Sequence, residues 1–225
     1  FSIVSYTGTG SNATVGHGLG AVPKWIIIKQ YSSSGGTENW GVYHAGLGNT
    51  KYLFLNRTNA EATSSIYWND TTPTSSVFSI GTNDVVNNNT VSYIAYCFAE
   101  KKGYSKFGSY TGNGSTDGTF VYTGFKPAWV MVKRTNTTGA WLMYDNKRNP
   151  HNLTDKKLLA NEGGAENAST DPSGVTASTN NLDILSNGFK WRRADGYENA
   201  SGSTYMYMAF AENPFVTAGT KAAGT

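Results

Sequence analysis

Six aromatic side chains are the residues of this 225-residue chain best suited to chemistry: Trp40, Trp68, Trp141 and Trp191, with Tyr43 and Tyr144. Flat rings cover the C–H faces of sugars, while nearby amides and carboxylates take the hydroxyls. Trp68 stands beside Asn69 and Asp70, and Trp191 beside Arg192 and Arg193. The six together are the expected carbohydrate-binding set. The competing explanation is a core role, because Trp and Tyr favour strands and bury large areas. It weighs most on Trp25 and Trp129, which sit inside apolar runs, and least on Trp68 and Trp191.

Other chemistries find less support. A glycosidase needs two carboxylates flanking the scissile bond, and no Glu-x-Asp-x-Glu strand pattern is present. Glu162 and Glu166 are close in sequence, but they fall in a segment of small and polar residues that cannot hold catalytic geometry. Glu100 and Glu212 end matching segments and are expected as surface carboxylates or partners of lysines. His17, His44 and His151 share no metal-ligand spacing, so neither zinc nor a histidine triad is expected. There is no calcium loop of the Asp-x-Asp-x-Asp-Gly kind. Gly16, Gly18 and Gly20 are not followed by a helix that could receive a phosphate. Catalytic residues, cofactor and metal are all expected to be none.

The elements that must position the aromatic set are written twice. Ser5-Tyr6-Thr7-Gly8-Thr9-Gly10-Ser11 returns as Ser109-Tyr110-Thr111-Gly112-Asn113-Gly114-Ser115. Pro23-Lys24-Trp25-Ile26-Ile27-Ile28-Lys29 returns as Pro127-Ala128-Trp129-Val130-Met131-Val132-Lys133. The spacing is 104 residues for both Tyr6 to Tyr110 and Trp25 to Trp129. That is the length of a small domain, and too long for a solenoid repeat. Trp40-Gly-Val-Tyr43 and Trp141-Leu-Met-Tyr144 form the next pair, followed by Tyr52 to Leu55 and, more weakly, Leu158-Leu159. Each copy closes on a strand, Tyr93 to Glu100 and Tyr205 to Glu212. The offset has then grown to 112, Tyr93 to Tyr205, so copy two carries the insertion.

Short β-branched and aromatic runs, separated by turns, predict strands throughout. No segment of about ten residues has helical periodicity. Thr14 to Gly20 reads as a Gly/His loop, and its counterpart, Thr119 to Gly124, is richer in Phe and Tyr. Asn187-Gly188 between Asp183-Ile-Leu185 and Phe189-Lys-Trp191 predicts a hairpin, because both turn residues tolerate positive φ. Residues 161–180 read as an exposed loop. The expected organisation is all-β: two tandem antiparallel β-sandwich repeats of jelly-roll, concanavalin-like type. The first spans 1–102, the second 103–215, and 216–225 is a C-terminal tail.

Composition narrows the class. Only 15% of residues are charged and the formal net charge is +3, with no run of Lys or Arg. A nucleic-acid partner is therefore not expected. Cys97 is the single cysteine, which rules out an intrachain disulfide, and its apolar neighbours suggest a buried thiol. No apolar run could span a membrane as a helix. The opening at Phe1 suggests a piece or processed form of a longer protein. Asn-x-Ser/Thr sequons recur, as an Asn-, Ser- and Thr-rich chain produces by chance.

The two Ser-Tyr-Thr-Gly-x-Gly-Ser openings, Thr123-Gly-Phe-Lys-Pro-Ala-Trp-Val130, and the endings Ala95-Tyr-Cys-Phe-Ala-Glu100 and Met208-Ala-Phe-Ala-Glu-Asn-Pro-Phe215 together resemble a family of concanavalin-like (lectin/glucanase-type) β-sandwich domains in the virion proteins of tailed phages, marine and cyanobacterial ones among them. Copy one departs from that pattern at Gly16–Gly20. The resemblance implies a non-enzymatic structural or adhesive virion protein, part of a tail fibre or surface appendage. Its partners would be other virion subunits, a homo-oligomer such as a trimer, and host-surface glycans. The alternatives are a free carbohydrate-binding module or lectin, an extracellular filament subunit and, last, a glycan-cleaving enzyme.

Overall fold

The computed structural model describes residues 1–32, 38–163, 166 and 181–214. Most of the predicted 161–180 loop and the 216–225 tail lie outside the described residues. Contacts divide the chain into two compact units: Phe1–Glu100 with Asn136–Thr138, and Lys101–Thr135 with Gly139–Thr225.

The first unit runs β1 (Ser2–Thr7), β2 (Ala13–Gly16), β3 (Trp25–Gln30), β4 (Gly41–His44), β5 (Lys51–Phe54), β6 (Ala62–Thr63), α1 (Ser65–Trp68), β7 (Val77–Ile80), α2 (Asp84–Asn87) and β8 (Ser92–Phe98). One antiparallel sheet has the order β1-β8-β3-β4-β5-β6, and β2 pairs with β7 in another. Trp25, Ile26, Ile27 and Ile28 are all buried, as a run without apolar/polar alternation requires. The core gathers Ile26, Ile28, Tyr43 and Tyr93 from the large sheet, Val15, Phe78 and Ile80 from the small one, and Trp68 and Val86 from the two helices.

The second unit runs β9 (Ser105–Thr111), β10 (Phe120–Tyr122), β11 (Pro127–Arg134), β12 (Trp141–Asp145), β13 (Leu158–Leu159), β14 (Leu182–Leu185), β15 (Gly188–Trp191) and β16 (Thr204–Ala211). Its sheets are β13-β12-β11-β16-β9 and β10-β15-β14, again antiparallel. From β9 inward, the large sheet repeats the order of the first unit from β1 inward. Pro127 opens β11, and a register shift against β16 follows before Trp129. A proline there gives up no interior ladder bond. The core again draws on both sheets, with Val130, Val132, Tyr144 and Tyr205 meeting Val121, Phe189 and Trp191.

Three local expectations need correction. The segment read as a Gly/His loop begins with strand β2, and its counterpart contains β10. Two single-turn helices interrupt the first unit, where strands throughout were expected. The Asn187-Gly188 hairpin forms, but Ser186 and Asn187 are its turn and Gly188 already pairs with Leu185. None of these three residues has positive φ. Gly188 is required for space instead: a Cβ there would lie 2.1 Å from the Val121 carbonyl oxygen.

The repeated Ser-Tyr-Thr-Gly-x-Gly-Ser motif is a clamp at the end of β1 and β9. Tyr6 stacks on Tyr93 at 5.2 Å and donates to the Val86 carbonyl. Tyr110 stacks on Tyr205 at 4.9 Å and donates to the Glu198 carbonyl. Gly8 and Gly112 pass so close to the facing turn that a Cβ would lie 2.0 Å from Asn88 O and 2.3 Å from Ala200 O. Two fully buried asparagines, Asn87 and Asn199, close the clamp. Asn87 Nδ2 donates to the Ser11 and Gly81 carbonyls, and Asn199 Nδ2 to those of Ser115 and Arg193.

Candidate functional site

Five of the six aromatic side chains expected to bind sugar are in the cores. Trp68 and Tyr43 are each 2% exposed, and Trp141, Trp191 and Tyr144 are fully buried. Trp68 lies edge-on to Tyr43 at 5.7 Å and donates its Nε1–H to the Lys51 carbonyl. Trp191 lies edge-on to Tyr144 at 5.8 Å. Their ring faces are covered by protein, so the expectation of sugar platforms at these five is corrected. The sixth, Trp40, is partly exposed, with Lys29 Nζ 6.0 Å from its ring. The polar neighbours of Trp191 misled because strand alternation sends adjacent side chains to opposite faces, and those of Trp68 because α1 ends there, with Asn69 as its left-handed cap and Asp70 also at positive φ.

Among the described residues, the exposed aromatic side chains of the second unit lie one strand away. In β10, Val121 points into the core, so Phe120 and Tyr122 point out, 44% and 64% exposed. In β15, Phe189 and Trp191 take the inside and Lys190 the outside. Asp183 of β14 pairs with Lys190, which pairs with Phe120. The outer face of the three-stranded sheet therefore carries two aromatic rings beside a charged row. Arg192 Nε donates to Asp183 Oδ2 at 2.6 Å. Asp117 Oδ1 lies 2.5 Å from Lys190 Nζ and 3.4 Å from Arg192 Nη1. The hydrogen bond and charge of Lys190 hold the Asp117 carboxyl below its ordinary range, so it is ionised at neutral pH.

An open cleft of about 440 Å³ adjoins this row, lined by Thr116, Asn152, Leu153, Asp183 and Arg192. Its walls are fixed from behind. The Asn152 amide bonds both to the Ile184 carbonyl and to the Ile184 N–H, each at 3.0 Å. The loop bearing Thr116 and Asp117 is tied down by Asn199, which donates to Asn113 Oδ1 and Ser115 O at 2.8 and 2.9 Å. Gly118 N–H bonds to the Trp191 carbonyl at 3.0 Å. The clamp of the repeated motif thus holds one edge of the cleft.

The arrangement offers ring faces, a hydroxyl, an amide and a balanced set of two cations and two carboxylates on an exposed sheet. It suits a polyhydroxylated ligand lying along the sheet. Asp117, being ionised, cannot act as the acid of a glycosidase at neutral pH. Among the described residues, no three His, Cys, Asp or Glu side chains converge as metal ligands. His17 sits between the Thr74 carbonyl and the Leu19 N–H, and His44 Nδ1 accepts from Gly46 N. Asn83 caps α2 by accepting from Val85 N at 2.9 Å. Among the described residues no helix is long and apolar enough to cross a membrane.

The matching face of the first unit is bare. Val15 takes the inward place of Val121, and Thr14 and Gly16 stand where Phe120 and Tyr122 stand in the second unit. The sequence did carry this signal, in the Phe- and Tyr-rich segment of copy two that replaces a Gly/His stretch. The clamp asparagines had only a faint one: each precedes the closing-strand tyrosine by six residues, Asn87 to Tyr93 and Asn199 to Tyr205.

Fold and site together define an all-β protein of two antiparallel units, one of which carries a polar-aromatic face. The chain belongs to the family described as Domain of unknown function (DUF7483), whose model matches residues 1–214 and so spans both units. No curated protein and no solved structure matches the chain.

Proposed function

We propose that this protein is a non-enzymatic structural and adhesive component of a virion, part of a tail fibre or surface appendage, that binds host-surface glycans through the outer face of its second unit. In this reading each unit is a concanavalin-like, jelly-roll β-sandwich. Support for that comes from two antiparallel sheets sharing a core in each unit and from the motif resemblance to tailed-phage virion domains. Homo-oligomeric assembly with other virion subunits belongs to the same reading. The observation that carries the binding role is the exposed Phe120–Tyr122 pair beside the Thr116–Asn152–Asp183–Arg192 cleft.

The test is binding of the purified chain to a panel of bacterial surface polysaccharides, with Tyr122→Ala and Arg192→Ala beside it. Tyr122 is exposed, and its loss is expected to alter stability by no more than about 1 kcal/mol. Arg192→Ala leaves the buried Asp183 carboxylate without this partner, so its fold is checked by circular dichroism before binding is read. Selective binding weakened about tenfold or more in both folded variants is the expected result, since loss of a stacking ring or a fixed ionic donor costs about 1–3 kcal/mol. No binding to any polysaccharide, or binding indifferent to both changes, overturns the assignment.

A further inference from the structure

The second unit buries a carboxyl group that the cleft does not use. Glu198 is fully buried, in the turn between β15 and β16. Its Oε1 accepts from Tyr144 OH at 2.7 Å and lies 3.2 Å from Lys157 Nζ. Its Oε2 receives no hydrogen bond from any donor among the described residues. Asp195 is its other close neighbour. Asp195 Oδ1 accepts from the N–H groups of Tyr197 and Glu198, and its Oδ2 lies 2.6 Å from Arg193 Nε. Other polar and charged groups around the turn include Tyr110, Tyr205, Asn181, Asn199, Ser203 and Arg134, whose Nη1 donates to the Gly196 carbonyl and Nη2 to Ser203 Oγ.

A buried acceptor without a donor is costly. Two carboxylates cannot relieve each other, but a carboxylic acid can donate to a carboxylate. Arg193 favours Asp195 as the ionised member, and its carboxyl is held below the ordinary range despite its burial, chiefly by the hydrogen bond from Glu198. We propose that Glu198 is a protonated acid that latches the 193–203 turn by donating to Asp195, and that proton loss on opening makes the turn, and the cleft loop it holds, progressively easier to release as pH rises. Glu198 and Asn199 are neighbours: one reaches into this acid pair, the other grips the loop carrying Thr116 and Asp117. Burial, then the hydrogen bond with Asp195, push the Glu198 carboxyl from 4.5 up to about 8. The opened turn returns it to its ordinary value. Opening therefore releases a proton at every pH between these two values, and the latch is fully engaged only below about 4.5.

Amide hydrogen exchange of residues 112–119 and 193–203 between pH 5 and pH 7 reads the latch without any ligand. Lys133, buried and lowered to about 7, adds its own pH dependence only above this window. After correction for intrinsic exchange, the opening constant is expected to rise about tenfold per pH unit in the native chain and to stay flat in Glu198→Gln. The infrared carbonyl band of a protonated carboxyl group, present in the native protein at pH 6.5, is the check that needs no variant. A flat profile in the native chain, or no such band, overturns the latch. A latch confirmed in a chain that binds no polysaccharide would leave this inference standing and remove only its consequence for binding, which rests on the proposed function.

Discussion

The two units share one frame and differ in what it encloses. Tyr6–Tyr93 and Tyr110–Tyr205 stack alike, and Asn87 and Asn199 close the same clamp. Inside that frame, Val86 of the first unit stands where Glu198 stands in the second, and Asn83 where Asp195 stands. The niche beside the β4 and β12 tyrosines is filled by an edge-on Trp from helix α1 in one case and from strand β15 in the other. On the outer face, Thr14 and Gly16 give way to Phe120 and Tyr122. The repeat therefore preserves the hydrogen bonds and close approaches that join the sheets' ends. Changes accumulate where a side chain only needs to fill a volume or face water. The second unit uses that freedom for a buried acid and an exposed polar-aromatic face.

The strongest way to break this comparison is at the two edge-on tryptophans. Trp68→Ala and Trp191→Ala should each cost about 4 kcal/mol, because both empty a buried niche, although the tryptophans come from different elements. Calorimetric unfolding of the two variants checks this. If either loses less than about 1 kcal/mol, its niche is not the equivalent that the Tyr43 and Tyr144 contacts indicate.

A smaller but more symmetric effect belongs to the clamp. Gly8→Ala and Gly112→Ala each place a methyl group against a backbone carbonyl, and should cost about 3 kcal/mol apiece. Denaturant titration should give matching losses. A tolerated substitution on one side would show that the two clamps have diverged.

The gentlest test uses pH, where the units should respond in opposite senses. Burial, with a lesser contribution from Lys24, lowers His44 of the first unit to about 4. Its folded value lies below its unfolded value of 6.5, so the unfolded state binds more protons between the two. The stability from neutral His44 is whole above pH 6.5 and declines toward pH 4, by at most about 1.4 kcal/mol per pH unit. The second unit, through Glu198, loses stability in the other direction over the overlapping window. Exchange measured unit by unit should show β3–β4 amides loosening toward acid and 193–203 amides loosening toward neutrality. His44→Leu should flatten the first profile alone.

Much of the frame was legible from the chain. The 104-residue spacing located matching strands, and the apolar run around Trp25 is the buried strand β3. The hairpin at 186–187 was found for the wrong reason, since a glycine demanded by proximity looks the same in sequence as one demanded by positive φ. The candidate site was harder to read. Trp191 and Lys190 are neighbours in the chain and opposites in the sheet, and no residue type announces which is which.

What the sequence determined by itself is the repetition, the strand-rich character and the order of matching elements, because these follow from local pattern and side-chain shape. Tertiary structure alone decided which aromatic residues face water, which asparagines hold the motif, and that Glu198 meets Tyr144 and Lys157. Tyr144 and Lys157 approach Glu198 across 54 and 41 residues of chain. Burial and pairing at that range are set by how the sheets stack, and a carboxyl group's charge depends on that enclosure rather than on its neighbours in sequence.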